Sequence, residues 1–173
     1  MISFNSEDIQ FNLKNKTKLK SWIVYTIEKK KQKAGDISFV FCSDAFLLEM
    51  NKEYLNHDTY TDIITFDYSS DSSATGKSPL PPLKRGNISG DIFISIDRVQ
   101  ENADKFSPIG VSASTQNAQG DKKRKKSSNF EDELHRVIIH GVLHLLGYKD
   151  KTKTAKAEMR KQEDLCLKAL AKI

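Results

Sequence analysis

Two histidines one helical turn apart, followed by a glycine and an aspartate, form the feature that most restricts how this 173-residue chain can fold. His140 and His144 lie in the most apolar stretch of the sequence, residues 131–146. Residues four positions apart on an α-helix lie one above the other, so both imidazoles can face one point. Gly147 predicts the end of that helix, and the turn it permits can return Asp150 towards the same point.

This HxxxHxxGxxD pattern predicts a metal site. Two neutral imidazoles and one carboxylate, with a fourth position open to water, are typical of catalytic rather than structural zinc sites. Buried imidazole nitrogens without partners are costly, and a metal ion would satisfy them. The alternative is a core helix whose histidines bond backbone carbonyls. We take His140, His144 and Asp150 as the candidate ligands of one Zn²⁺ per chain and as the candidate catalytic residues.

Zinc peptidases of the HExxHxxGxxH and HExxHxxGxxD types share this spacing and offer a rival interpretation. Their general base is the glutamate directly after the first histidine. That position is Gly141 here, so a peptidase would lack its proton acceptor. The sequence therefore favours a hydrolysis in which metal-bound hydroxide or substrate geometry carries more of the reaction. A zincin-like metallopeptidase or another metal-dependent hydrolase is the alternative.

The rest of the chain alternates between strand and helix patterns, which predicts an α+β fold. We expect a small mixed sheet of about four strands packed with about five helices, one of them a zincin-like metal-binding helix. Strands are predicted at residues 36–42, 62–68 and 91–96. Helices are predicted at residues 18–31, 45–55, 97–105, 131–146 and 154–171. Ser43 is expected to cap the second helix, and Ser128 with Glu131 to form a capping box at the fourth.

Length and composition predict one domain, residues 1–173, with two flexible insertions. Residues 69–87 are rich in Ser, Pro and Gly, and residues 107–128 end in a polar, basic run. These two segments hold the positive charge, since the remaining chain is close to neutral although the whole chain carries +5. The basic run Lys122–Lys126 is either a contact for phosphates or a solvated loop.

We expect a cytoplasmic protein without a membrane partner. No apolar run approaches the roughly 20 residues needed to cross a bilayer. The first residues, MISFNSEDIQ, lack the basic and apolar regions of a secretory signal. Cys42 and Cys166 are not in a CxxC pair and predict free, buried thiols in a reducing compartment.

Residues 140–150 (HGVLHLLGYKD) resemble the HGxLHLxGYDH signature of the bacterial YbeY family, which are metal-dependent endoribonucleases. Residues 61–66 (TDIITF) are similar to the PTDVLSF segment of that family, and residues 90–92 to its GDI segment. Asn51 and Tyr54 fit the helix that leads into the first of these segments. The resemblance extends from about residue 35 to residue 150, apart from the two insertions.

The resemblance implies a zinc-dependent endoribonuclease that is specific for single strands. Its substrate would be ribosomal RNA, at the 3′ end of 16S rRNA, and its partner the small ribosomal subunit, with a role in ribosome quality control. A ribosome-associated binding factor with a structural metal is an alternative of a different class.

Two positions depart from the family pattern. Asp150 stands where the family usually has a third histidine, and the position-by-position match makes it the third metal ligand. A carboxylate leaves the metal a weaker Lewis acid than a third imidazole would. Leu55 stands where the family usually has an arginine, the natural clamp for a phosphodiester. His57 is either a protonated substitute for that arginine or an exposed loop residue.

Three further ionisable residues lie near these motifs in the sequence. Asp62 and Asp91 each open a predicted strand. Each is either an acceptor for an imidazole N–H of a metal ligand or an ordinary strand-edge carboxylate. His135 is expected to point away from the helix face of His140 and His144.

Overall fold

A computed structural model describes residues 1–69, 87–105 and 119–173, and the side chains of all of these except residues 119–128. The strands in these ranges are β1 (Ile2–Ser6), β2 (Lys33–Cys42), β3 (Ile63–Asp67) and β4 (Asn87–Ser95). The helices are α1 (Lys16–Lys29), α2 (Asp44–Leu55), α3 (Ile96–Lys105), α4 (Gln119–Leu145) and α5 (Lys153–Leu170). The predicted α+β class, with about four strands and about five helices, is confirmed.

The four strands form one mixed sheet with the order β1-β2-β4-β3. β1, β2 and β4 run parallel, and β3 pairs with β4 in the antiparallel direction. β1 is the strand that the sequence patterns did not place. Its two apolar residues, Ile2 and Phe4, are too few to indicate a strand by themselves, and pairing with Ile37 and Phe39 of β2 holds it in the sheet.

α4 lies across the sheet and carries much of the core. It contacts β3 and β4 on one side and α3 and α5 on others. Its buried residues include Leu134, Val137, Ile138, Ile139, Val142 and Leu143. Burying each large apolar side chain of this face stabilises the fold by roughly 1.5–3 kcal/mol. These contacts hold the helix against the sheet, and the opposite, polar face of the helix is left for the functional residues.

α4 begins at Gln119, ahead of the predicted start at Glu131, so Ser128 does not cap it. Lys, Arg and Gln have high helix propensity, and they extend a helix that the buried residues have already nucleated. The basic run Lys122–Lys126 is therefore in helical backbone, where the sequence predicted a flexible segment. Residues 70–86 and 107–118 of the two predicted insertions lie outside the described residues, as do the side chains of the basic run.

Two local predictions are confirmed. The Ser43 side chain caps α2 by accepting a hydrogen bond from the backbone N–H of Phe46. Cys42 and Cys166 are free and buried. Within the described ranges, no helix has the length and apolar character to cross a membrane.

Trp22 joins α1 to α5. Its side chain is fully buried, and its indole N–H donates to the carbonyl oxygen of Cys166 at 2.8 Å. The ring also packs edge to face against His135 of α4, with ring centroids 6.2 Å apart. Trp22 thus connects α1, α4 and α5, and this contact helps to fix α5 beside α4.

Replacing Trp22 by Phe should lower the free energy of unfolding by about 2 kcal/mol, because the smaller ring leaves a cavity and removes the indole donor. Tyr25→Phe is the matched control, since Tyr25 lies on the same helix and is 42% exposed. Its effect should stay within about 0.5 kcal/mol. Denaturant titration measures both changes, and equal stability of the two variants would refute the joining role of Trp22.

Candidate metal centre

His140 and His144 lie near the C-terminal end of α4, on the face that the core leaves free. Their side chains are half-buried, and their Nε2 atoms are 2.9 Å apart. The helical spacing of four residues therefore brings both rings to one point, as the sequence predicts.

Gly147 ends α4 and turns the chain back towards the histidines. Its φ of 92° is in the left-handed region, which glycine enters without a Cβ penalty. The N–H of Gly147 donates to the carbonyl of His144 at 2.9 Å, and that of Tyr148 to the carbonyl of Leu143 at 3.0 Å. These two bonds form a Schellman motif, as expected of a glycine directly after a helix.

Asp150 approaches the histidines after this turn. Its Oδ2 lies 3.8 Å from Nε2 of His140 and 3.9 Å from Nε2 of His144. One ligand atom from each of the three residues lies within 4.8 Å of the others. Zinc bonds of about 2.0–2.1 Å in a tetrahedron hold donor atoms about 3.3–3.4 Å apart. The observed separations lie on either side of that value, so the donor set fits one small metal ion after slight side-chain adjustment.

The other nitrogen of each imidazole is already engaged. Nδ1 of His140 is 2.7 Å from Oε1 of Glu163, and Nδ1 of His144 is 3.0 Å from the carbonyl oxygen of Tyr148. An ionised carboxylate and a carbonyl only accept hydrogen bonds, so each Nδ1 carries the proton. A neutral ring then presents a lone pair at Nε2. Two such lone pairs at 2.9 Å repel each other unless a proton or a metal ion is bound between them.

The two imidazoles differ in how readily they take a proton. Burial opposes protonation of His140, but the hydrogen bond and charge of Glu163 outweigh it and raise its pKa. Burial and the neighbouring His140 lower the pKa of His144. The pair is therefore built to hold one positive charge, and a metal ion and a proton compete for that place.

Glu163 connects this pair to α5. It lies on the buried side of that helix, and its side chain is only 8% exposed. Oε1 contacts His140, while Oε2 accepts from Arg136 at 3.0 Å, and Arg136 also contacts Asp164 at 3.0 Å. Burial raises the pKa of Glu163, but its bonds to His140 and Arg136 lower it overall, so the carboxyl stays ionised.

Glu163 was not predicted from the sequence. A signal was present, since Glu163 lies among Met159, Cys166 and Leu170 on the apolar side of a helix, where a glutamate needs a partner. The two candidates for this role, Asp62 and Asp91, do not receive the imidazole N–H groups. Asp91 instead accepts from the Tyr68 hydroxyl at 3.2 Å.

Neither Asp62 nor His135 contacts the two histidines of the centre through a hydrogen bond in the described residues. The charge of Asp62 acts on His140 and contributes to raising its pKa, so this carboxylate lies near the site without a bond to the ring. His135 packs against Trp22, away from the site, as predicted. Burial lowers the pKa of His135 and keeps it neutral, which suits a core contact.

Gly141 faces the sheet rather than the histidine pair. A Cβ atom added there would lie 2.8 Å from Cδ1 of Ile63 and 2.8 Å from Cγ2 of Ile92. A side chain at this position would have to displace half-buried Ile63 of β3 and buried Ile92 of β4. The fold therefore has no room for a glutamate where HExxH peptidases carry their general base.

A cleft of about 410 Å³ opens beside the histidines. Its lining residues are His140, Asp150, Lys156, Ala157, Met159, Arg160 and Glu163. Leu55 and His57 are not among them. Leu55 is 45% exposed at the end of α2, and His57 is exposed in the loop that follows. The location of His57 gives no support to a role as substitute for the family arginine.

Comparisons with known proteins agree with the sequence resemblance. A family model described as Endoribonuclease YbeY matches residues 1–113 and 109–171. A protein named Endoribonuclease YbeY from Flavobacterium psychrophilum is 42% identical over 168 residues, which are 97% of this chain and 95% of that protein. Its namesake from Cytophaga hutchinsonii is 40% identical over 166 residues, which are 96% of this chain and 93% of that protein.

A solved structure supports the fold alone. The solution structure of TM1509 from Thermotoga maritima is similar with a TM-score of 0.56 at 22% sequence identity. The match covers 98% of this chain and 89% of the other. The family model and the full-length relatives settle the assignment: the chain belongs to the Endoribonuclease YbeY family of hydrolytic nucleases.

Proposed function

We propose that this protein is a zinc-dependent endoribonuclease that cleaves single-stranded RNA during maturation of ribosomal RNA. Membership of the family supports RNA cleavage. One observation carries the metal dependence. Both Nδ1–H groups are engaged by fixed acceptors, so the two Nε2 lone pairs and the Asp150 carboxylate converge on one point, where a metal ion would relieve their repulsion.

His140, His144 and Asp150 would hold one Zn²⁺ through two imidazole nitrogens and one carboxylate oxygen. Zinc in such a site supplies a Lewis acid and a water whose pKa is lowered to about 7. Glu163 and the Tyr148 carbonyl orient the two rings and keep the Nε2 lone pairs directed at the centre. The apolar face of α4 shields one side, and the cleft leaves the other open to a substrate.

The finer parts of the proposal rest on the resemblance of residues 140–150 to the family signature. They are the 3′ end of 16S rRNA as a substrate, the small ribosomal subunit as a partner, and a part in ribosome quality control. A cytoplasmic location is consistent with such a substrate and with the two free, buried thiols. Peptide hydrolysis is disfavoured because Gly141 packs on the sheet.

Replacing His144 by Ala should abolish both stoichiometric zinc and RNA cleavage, because it removes one of three donors. Metal content by mass spectrometry and cleavage of a ribosomal RNA 3′ precursor, with and without chelator, measure the two effects. His57→Ala is the control, since His57 is exposed in the loop after α2, and it should retain both properties. A His144→Ala protein that cleaves RNA without metal would disprove the proposal.

Replacing Asp150 by His should preserve one bound zinc per chain, because imidazole and carboxylate are both zinc ligands. The new ligand is neutral, so the bound metal becomes a stronger Lewis acid, and the pH at which cleavage rises should move downwards. The pH–rate profile of cleavage measures this shift. A variant that binds no zinc would show that position 150 does not supply a ligand.

Replacing Glu163 by Gln should weaken zinc binding by about tenfold, because an amide orients the His140 ring less firmly than a carboxylate. Competition with a fluorescent chelator measures the affinity. Asp164→Asn is a matched control, since Asp164 shares the contact to Arg136 but does not touch His140. Equal zinc affinity in the two variants would exclude the orienting role of Glu163.

A further inference from the structure

The cleft beside the metal centre carries two cations on α5. Lys156 and Arg160 line it together with His140 and Asp150. They are four residues apart, so they lie on the same face of the helix, about 6 Å apart along its axis. Both are exposed, and their charges are accessible to a ligand that enters the cleft.

These two cations are free to take a partner. In the part of the chain that the structure describes, neither Lys156 nor Arg160 forms a side-chain hydrogen bond or an ion pair within 4.0 Å. The nearby guanidinium of Arg136 is different, because Glu163 and Asp164 hold it at 3.0 Å each. An anion in the cleft therefore meets Lys156 and Arg160 and not Arg136.

Negatively charged side chains also lie around the cleft and would oppose the approach of RNA. Asp150 lines the cleft, and the charge of Asp62 reaches His140. The carboxylates of Asp150 and Asp62 would repel a polyanion, and the positive charges of α5 offset that repulsion in a chain that has Leu55 instead of the family arginine.

We propose that Lys156 and Arg160 bind the phosphate backbone of single-stranded RNA next to the metal centre. Arg160 offers a planar guanidinium that can donate two parallel hydrogen bonds to one phosphate, and Lys156 adds a point charge beside it. This inference rests on the proposed function for the identity of the ligand. The site itself follows from the two unpaired cations in the cleft.

The test compares the full-length protein with the double variant Lys156→Met, Arg160→Met. Fluorescence anisotropy with a labelled single-stranded RNA, in the presence of chelator to prevent cleavage, measures affinity at several salt concentrations. The double variant should bind at least about tenfold more weakly near 0.1 M salt, and its slope of log affinity against log salt should fall by about 1.4. Both side chains are exposed, so the fold should be retained.

The matched control is Lys161→Met, Lys168→Met, which removes the same charge from the same helix. Both lysines are exposed and do not line the cleft. If the two double variants show the same affinity and the same salt slope, general charge explains the binding and the proposal is overturned.

Cleavage by the zinc-loaded proteins separates this proposal from the proposed function. The Lys156→Met, Arg160→Met variant should keep one zinc per chain, while kcat/KM for RNA falls by about 100-fold, as for two lost charge-assisted contacts. If this variant cleaves RNA as fast as the wild-type protein, the proposed phosphate contact is overturned and the proposed function still stands. A wild-type protein that cleaves no RNA would overturn the proposed function, and the salt slope would still decide whether the two cations bind phosphate.

Discussion

The hydrogen bond between His140 and Glu163 is the interaction on which the centre depends. It joins α4 to α5, fixes the tautomer of His140 and supplies the negative charge that favours a cation at the histidine pair. Arg136 stabilises the same carboxylate from its other oxygen, so the buried charge is paired on both sides. The burial of Trp22 between α1 and α5 sets the position of α5, and the centre thereby depends on the core.

The charges around the centre compensate one another. Asp150 adds a negative charge where the family usually carries a neutral histidine, and exposed Leu55 adds none where it usually carries an arginine. Both departures make the centre less attractive to a phosphate. Lys156 and Arg160 restore positive charge from a different helix, so in this chain α5 would combine the ring-orienting carboxylate with the phosphate contacts.

The sequence predicts those features that depend on local spacing. His140 and His144 share a helix face because four residues make about one turn, and Gly147 ends the helix because glycine accepts a positive φ without a Cβ penalty. Contacts between distant segments were not predictable in this way. β1 depends on its pairing with β2. The start of α4 at Gln119 depends on propagation of the helix from its buried segment, and the role of Glu163 depends on the packing of α5 against α4. The single domain and the zincin-like character of α4 stay predictions.

Zinc K-edge X-ray absorption of the zinc-loaded, full-length protein tests the ligand set most directly. We expect a four-coordinate shell of nitrogen and oxygen at about 2.0–2.1 Å, with outer-shell scattering from two imidazoles and one position filled by water. A sulfur scatterer at about 2.3 Å, or a shell without imidazole, would contradict a centre built from His140, His144 and Asp150.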